Sequence, residues 1–155
     1  MRRSLQAFVV IIISGSCLFL NSCLEVTCID ETEAYVKANF YSYSTGKPLV
    51  PDSLTLYGID MENVLIYDSV KITPPALIPL RDSTNHAEFV IRINGVNDTI
   101  EFIYSSYTHL VTKECGYSTY HNIDTTYFTK HAIDSISTKN KSITTDNVEN
   151  ISIYY

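Results

Sequence analysis

Tryptophan is absent from this 155-residue chain, and glycine and proline are scarce, with five of each. So little of either leaves no collagen-like period and no low-complexity linker that would divide the chain. Positive charge is also short. Eleven Lys and Arg stand against seventeen Asp and Glu, which excludes a basic footprint for nucleic acid. Catalytic signatures are missing as well: there is no GxSxG elbow, no HExxH pair, no glycine-rich phosphate loop and no EF-hand loop. The sequence therefore points to a protein that is not an enzyme and implies no cofactor. Long apolar runs are absent except at the start.

There, Arg2 and Arg3 precede thirteen mostly apolar or small residues, Phe8 to Leu20. At about 1.5 Å per residue such a segment cannot cross a hydrocarbon core of about 30 Å. A positively charged n-region followed by a short h-region is the pattern of a secretory signal peptide, here residues 1–22. Leu20-Asn21-Ser22-Cys23 resembles the lipobox of bacterial lipoproteins, which implies that Cys23 is acylated and becomes the first residue of the mature protein. Cys17 also follows a small residue, but would leave an h-region of only Phe8 to Ile13. Residues 23–33 then form a lipidated tether and residues 34–155 a single domain. Losing two arginines and no acid moves the formal charge from −6 to −8, so a basic patch on a protein is a more natural partner than anionic lipid.

Two thiols remain, Cys28 and Cys115, in an exported compartment where disulfides persist. They permit one intramolecular pairing. The alternatives are two unpaired buried cysteines, or a metal site of Cys115 with His109 and His121 that lacks a compact ligand pair and a fourth ligand. No metal is expected. The acidic run Asp30-Glu31-Glu33 reads as a solvated linker in preference to a calcium site.

After the tether, apolar residues alternate with period two and no segment keeps helical spacing for three turns. Ala34 to Ser42 places Val36, Ala38 and Phe40 on one face. Further strands are expected at Leu54-Leu56, Leu65 to Tyr67, the proline-flanked Ala76 to Leu80, Tyr117 to Phe128, Ala132 to Thr138 and Val148 to Tyr154. Ala87 to Ile103 reads as a hairpin turning at Asn94-Gly95-Val96-Asn97. A change of apolar parity suggests a bulge at Ser105-Ser106. Some seven to nine short strands predict an all-β fold, an antiparallel β-sandwich of immunoglobulin or fibronectin type.

The acylated cysteine, a second cysteine five residues on, and the stretches AYVKANF, LTLYGID, ALIPL, DTIEFIYSS, KECGY and NVENISIYY together resemble the small uncharacterised lipoproteins of Bacteroidota. That resemblance implies one extracytoplasmic β-domain without known catalysis, and carries no functional residues beyond Cys23, Cys28 and Cys115. It makes another pattern informative. Of nine aspartates in the mature chain, six precede Ser or Thr and then an apolar residue or Thr, where chance gives about two. Their hydroxyls are Ser53, Ser69, Ser83, Thr99, Thr125 and Ser135. The triplets resemble the acceptor motif of the general O-glycosylation system of that group. Asp-Ser and Asp-Thr are also ordinary strand-entry and turn pairs.

His86, His109, His121 and His131 each read as polar strand residues. Tyr35, Tyr41 and Tyr43 share the outward face of the first strand and are candidate interface residues, since rigid amphipathic rings lose little entropy on contact. The competing reading is cross-strand pairing on a half-covered sheet. Leu24 follows the anchor in place of Asp, which by analogy with other lipoproteins implies the outer membrane. Glu25-Val26-Thr27 lacks the Lys-acidic-acidic run of a surface-export signal, which favours the periplasmic face. Five residues separate Cys23 from Cys28 and span at most roughly 18 Å. The expected partner is therefore an outer-membrane β-barrel or an associated envelope protein, with the chain as an accessory subunit. A glycan- or ligand-binding module is the alternative.

Overall fold

The computed structural model describes residues 27–155. The signal segment, Cys17 and Cys23 lie outside the described residues. Ten strands and no helix are present among the described residues, in two sheets that form a β-sandwich.

Alternation in β1 (Tyr35–Tyr41) buries Val36, Ala38 and Phe40 together, because successive side chains point to opposite faces of a strand. β1 pairs antiparallel with β4 (Ala76–Pro79) and parallel with β10 (Ile151–Tyr154), which continues to β8 (Ser135–Thr138). The order β4-β1-β10-β8 leaves the proline-flanked strand at an edge, where a missing N–H costs no ladder bond. The parallel β1–β10 pair is one exception to the expected antiparallel pattern.

The second sheet has the order β3-β2-β5-β6-β7-β9, with β2 at Leu54–Gly58, β3 at Leu65–Val70, β5 at His86–Ile93, β6 at Val96–Thr112, β7 at Gly116–Phe128 and β9 at Ser142–Ile143. Asn94 and Gly95 both adopt positive φ, 50° and 91°. That is the two-residue turn whose twist suits a hairpin, so the reversal takes two residues. Inner faces of both sheets share one apolar core, in which Phe40, Ile151 and Ile153 meet the cluster of Phe89, Ile100 and Phe102.

The bulge lies elsewhere than at Ser105-Ser106. Ile103 pairs with Thr125 and Tyr104 with Ile123, so the extra residue is Asp124 on β7. Its insertion switches which β7 side chains face inward. Ile123 and His121 both become buried as a result.

β6 and β7 outrun their neighbours. β5 stops pairing with β6 at Ile103, and β9 meets β7 only at His121 and Asn122. The remaining length, Tyr107–Thr112 with Gly116–Tyr120, is a two-stranded arm. Its tip is the turn Lys113-Glu114-Cys115, in which Cys115 N–H donates to Thr112 Oγ1 at 3.0 Å and Gly116 takes φ 75°.

Candidate functional site

The arm tip is stapled to the start of the domain. Cys28 and Cys115 form a disulfide with Cα atoms 4.7 Å apart, which overturns Cys115 as a metal ligand. Among the described residues no three His, Cys, Asp or Glu side chains are grouped to hold a metal ion. The strap from Cys28 to Ala34 is thereby laid along the arm, where Ser118 Oγ donates to the carbonyl of Thr32.

Strap, arm and the β4–β5 corner enclose an open cavity of about 410 Å³, lined by Glu33, Tyr35, Asp82, Tyr117, Thr119 and His121 among others. Tyr35 thus faces a concavity, and its hydroxyl donates to Glu33 Oε2. That hydrogen bond to an anion, helped by burial, raises the tyrosine above its usual pKa. His121 is a strand residue, as expected, and is buried at 2 % exposure. Its Nδ1 lies 2.8 Å from Ser106 Oγ and its ring packs edge-on against Tyr104. Burial lowers its pKa, opposed by the negative charge of Asp82, so the ring is neutral at pH 7.

A Ser–His pair holds two parts of an activated nucleophile, which needs a third group to orient the base. Asp82 Oδ1 is 4.0 Å from His121 Nε2, outside hydrogen-bond range, and its side chain is mostly exposed. The trio lacks the contacts of a triad. What the cavity offers is two carboxylates, two tyrosine rings and hydroxyls, a lining suited to holding a polar or cationic group.

The other outward tyrosines are engaged differently. Tyr41 stacks on Tyr154, its register partner in β10, and donates to Glu149 Oε2 at 2.9 Å. Glu149 also accepts from Asn39 and Ser152. Burial would raise its pKa, and these bonds together hold it below the usual carboxylate range. Tyr43 lies past the strand end and is 61 % exposed. His86 is exposed on the outer face of β5, 3.0 Å from Glu101. His109 stacks on Tyr120 with ring centroids 4.5 Å apart.

Of the six candidate acceptor hydroxyls, Ser69, Ser83 and Thr125 are exposed, while Ser53, Thr99 and Ser135 are half-buried. Ser69 is tied to Thr55 by its hydroxyl and its N–H. The aspartate of the Asp98-Thr99 pair is buried. It accepts hydrogen bonds from Thr129 and His131 side chains and from the N–H groups of His131, Ala132 and Ile133. Asn150 is a second unforeseen anchor. It exchanges hydrogen bonds with the Lys37 backbone and donates to the carbonyls of Asn140 and Ser142. Neither carries a motif that sequence patterning could have found.

The chain belongs to the DUF6452 family. This is a family of unknown function, and the match runs over residues 53–155. It takes in the arm, Cys115 and every strand after β1, and leaves Cys28 and the strap outside. No curated protein matches the chain, and neither does any solved structure.

Proposed function

We propose that this chain is a lipoprotein of the Bacteroidota type, acylated at Cys23 and held at the periplasmic face of the outer membrane as a noncatalytic accessory subunit of an envelope protein assembly. The supporting observation is the position of the disulfide. It fastens the domain to Cys28, five residues after the anchor, and extended chain of that length reaches at most roughly 18 Å. A domain so tethered meets partners at the bilayer surface. Disulfide formation also suits an exported location. The test is a pull-down of tagged chain in mild detergent after fatty-acid probe labelling. Labelling lost in Cys23→Ser and co-purification of a defined outer-membrane protein are expected; absence of either rejects the reading. Intact-mass measurement of the native protein reports at the same time whether exposed hydroxyls such as Ser83 and Thr125 carry sugar.

A ligand-binding module is the second reading, favoured by the polar cavity beside Tyr35. Saturable binding on a glycan array, abolished by Tyr35→Ala and retained by Tyr41→Ala, would support it. The distinction follows from the structure, since Tyr35 lines the cavity and Tyr41 is committed to Tyr154 and Glu149.

A further inference from the structure

The arm is exposed where a sandwich normally is not. Every β6 residue from Ser105 to Leu110 is exposed, and among them are large apolar side chains: Tyr107 and Leu110 are each 47 % exposed, and Tyr117 on β7 is 72 % exposed. Leu110 and Tyr117 are direct cross-strand partners, and only the pair Thr112–Gly116 separates them from the turn at Lys113-Glu114-Cys115. They share one face, so the last rungs of the arm present a leucine and a tyrosine side by side.

Position gives that pair an occupant. The disulfide brings Cys28 to the arm tip, and the chain leading back from Cys28 to Cys23 spans at most roughly 18 Å. Acyl chains on Cys23 enter the bilayer, so the arm tip is the part of the domain held nearest to it. Tyrosine is favoured at a membrane–water interface because its ring is apolar and its hydroxyl stays wet. Lys113, exposed at the tip, can extend its stem along the same surface with its ammonium in water. The charge of the neighbourhood selects the lipid. Asp30, Glu31 and Glu33 on the strap and Glu114 at the tip are all exposed carboxylates, which an anionic surface would repel.

We propose that the arm tip, through Leu110 and Tyr117, rests in the headgroup region of the bilayer that holds the Cys23 acyl chains, on a zwitterionic surface bearing amine headgroups. This inference rests on the acylation of Cys23 proposed above. It fixes an orientation as well as a contact. β1 starts beside the cavity at Tyr35 and runs away from the arm, so its end at Tyr41 lies roughly 20 Å further along at about 3.3 Å per residue, and Tyr43 follows in the turn beyond it. The domain stands end-on, with Tyr43 and the Thr45-Gly46 turn directed away from the lipid.

The absence of tryptophan makes a clean probe available. Full-length Tyr117→Trp and, as an independent variant, Leu110→Trp are purified from membranes, their acylation read by intact mass, and reconstituted into phosphatidylethanolamine–phosphatidylcholine vesicles. Tyr43→Trp serves as the distal reference. The expected result is a blue-shifted emission for both arm probes, quenching by lipids brominated near the carboxyl end of the acyl chain, and iodide quenching several-fold weaker than for Tyr43→Trp. Replacing a third of the lipid by phosphatidylglycerol should lessen the shielding. An acylated, vesicle-bound protein whose arm probes are as open to iodide as the Tyr43→Trp probe overturns this inference and leaves the anchoring intact. Shielding that arises only when a membrane protein is added overturns it in favour of a protein contact. A chain without acyl groups overturns the anchoring and this inference together.

Discussion

The Asp98 carboxylate sits 2.8 Å from the backbone N–H of Ile133, joining the start of β6 to the segment that leads into β8 in the other sheet. Ile133 and the Asp98 side chain are both buried, so this is an ionised group inside the sandwich rim held by donors on one short stretch. Burial alone would raise the pKa of Asp98, yet the bonds from Thr129, Ile133, Ala132 and His131 outweigh it and leave the group lowered.

Removing that acceptor strands several donors at once. Asp98→Ala leaves the buried N–H of Ile133, the half-buried N–H of Ala132 and the hydroxyl of the exposed Thr129 without their partner; an unsatisfied buried donor costs about 1–3 kcal/mol, and the more exposed ones cost less. A loss of about 3 kcal/mol is expected overall, with a melting temperature lower by roughly 10 °C in a domain of this size. Thermal unfolding followed by circular dichroism checks it. A variant within a degree of wild type would show that the carboxylate is not a structural anchor.

Asp98 also shows where patterning stops being informative. Val36, Ala38 and Phe40 announce their face by alternation, and Asn94-Gly95 announces its turn by the positive φ it can adopt. Cys28 and Cys115, once the two earlier cysteines are assigned to the leader and the anchor, allow a single pairing, and that is the disulfide present. Asp98, by contrast, occupies a core-facing position opposite Ile91, and an acid there is tolerated because of residues more than thirty positions away. A lone Asp-Thr pair reads as a turn or a sugar acceptor because its partners are distant. His121 was hidden for a related reason. Its inward direction depends on the extra residue Asp124 in β7, and Ile123-Asp124-Thr125 carries no local mark of a bulge. The two-residue β9, which pairs with His121 and Asn122, is too short for any period to register.

His121 should leave a signature in the acid range. Its folded pKa lies below the ordinary histidine value because burial disfavours the charged ring. The unfolded chain therefore takes up a proton as pH falls through about 6.5, while the folded chain resists until its own lower pKa is reached. Stability contributed by the neutral ring is full above about pH 6.5 and declines as pH falls toward the folded value. Urea midpoints measured from pH 7.5 to 5 should drop in the wild type more steeply than in His121→Gln. Equal slopes would place the histidine in water.

The staple makes the last prediction, and its size follows from chain statistics. Cys28 and Cys115 close a loop with a sequence separation of 87 residues, for which the loss of unfolded-state entropy amounts to roughly 4.5 kcal/mol. The figure is an upper guide, because the strap keeps contacts of its own. Thr32 still accepts from Ser118, and β1 remains paired on both sides. The double variant Cys28→Ser, Cys115→Ser should therefore fold, unfold at markedly lower urea, and match wild type treated with reductant. Its native state should differ in one place. With the link cut, the exposed residues before Thr32 have no covalent hold on the arm tip, and amide exchange from Ile29 to Glu33 should quicken while β5 and β6 remain protected. Exchange that quickens equally through β5 and β6 would mean that the disulfide secures the sandwich as a whole, and not the strap alone.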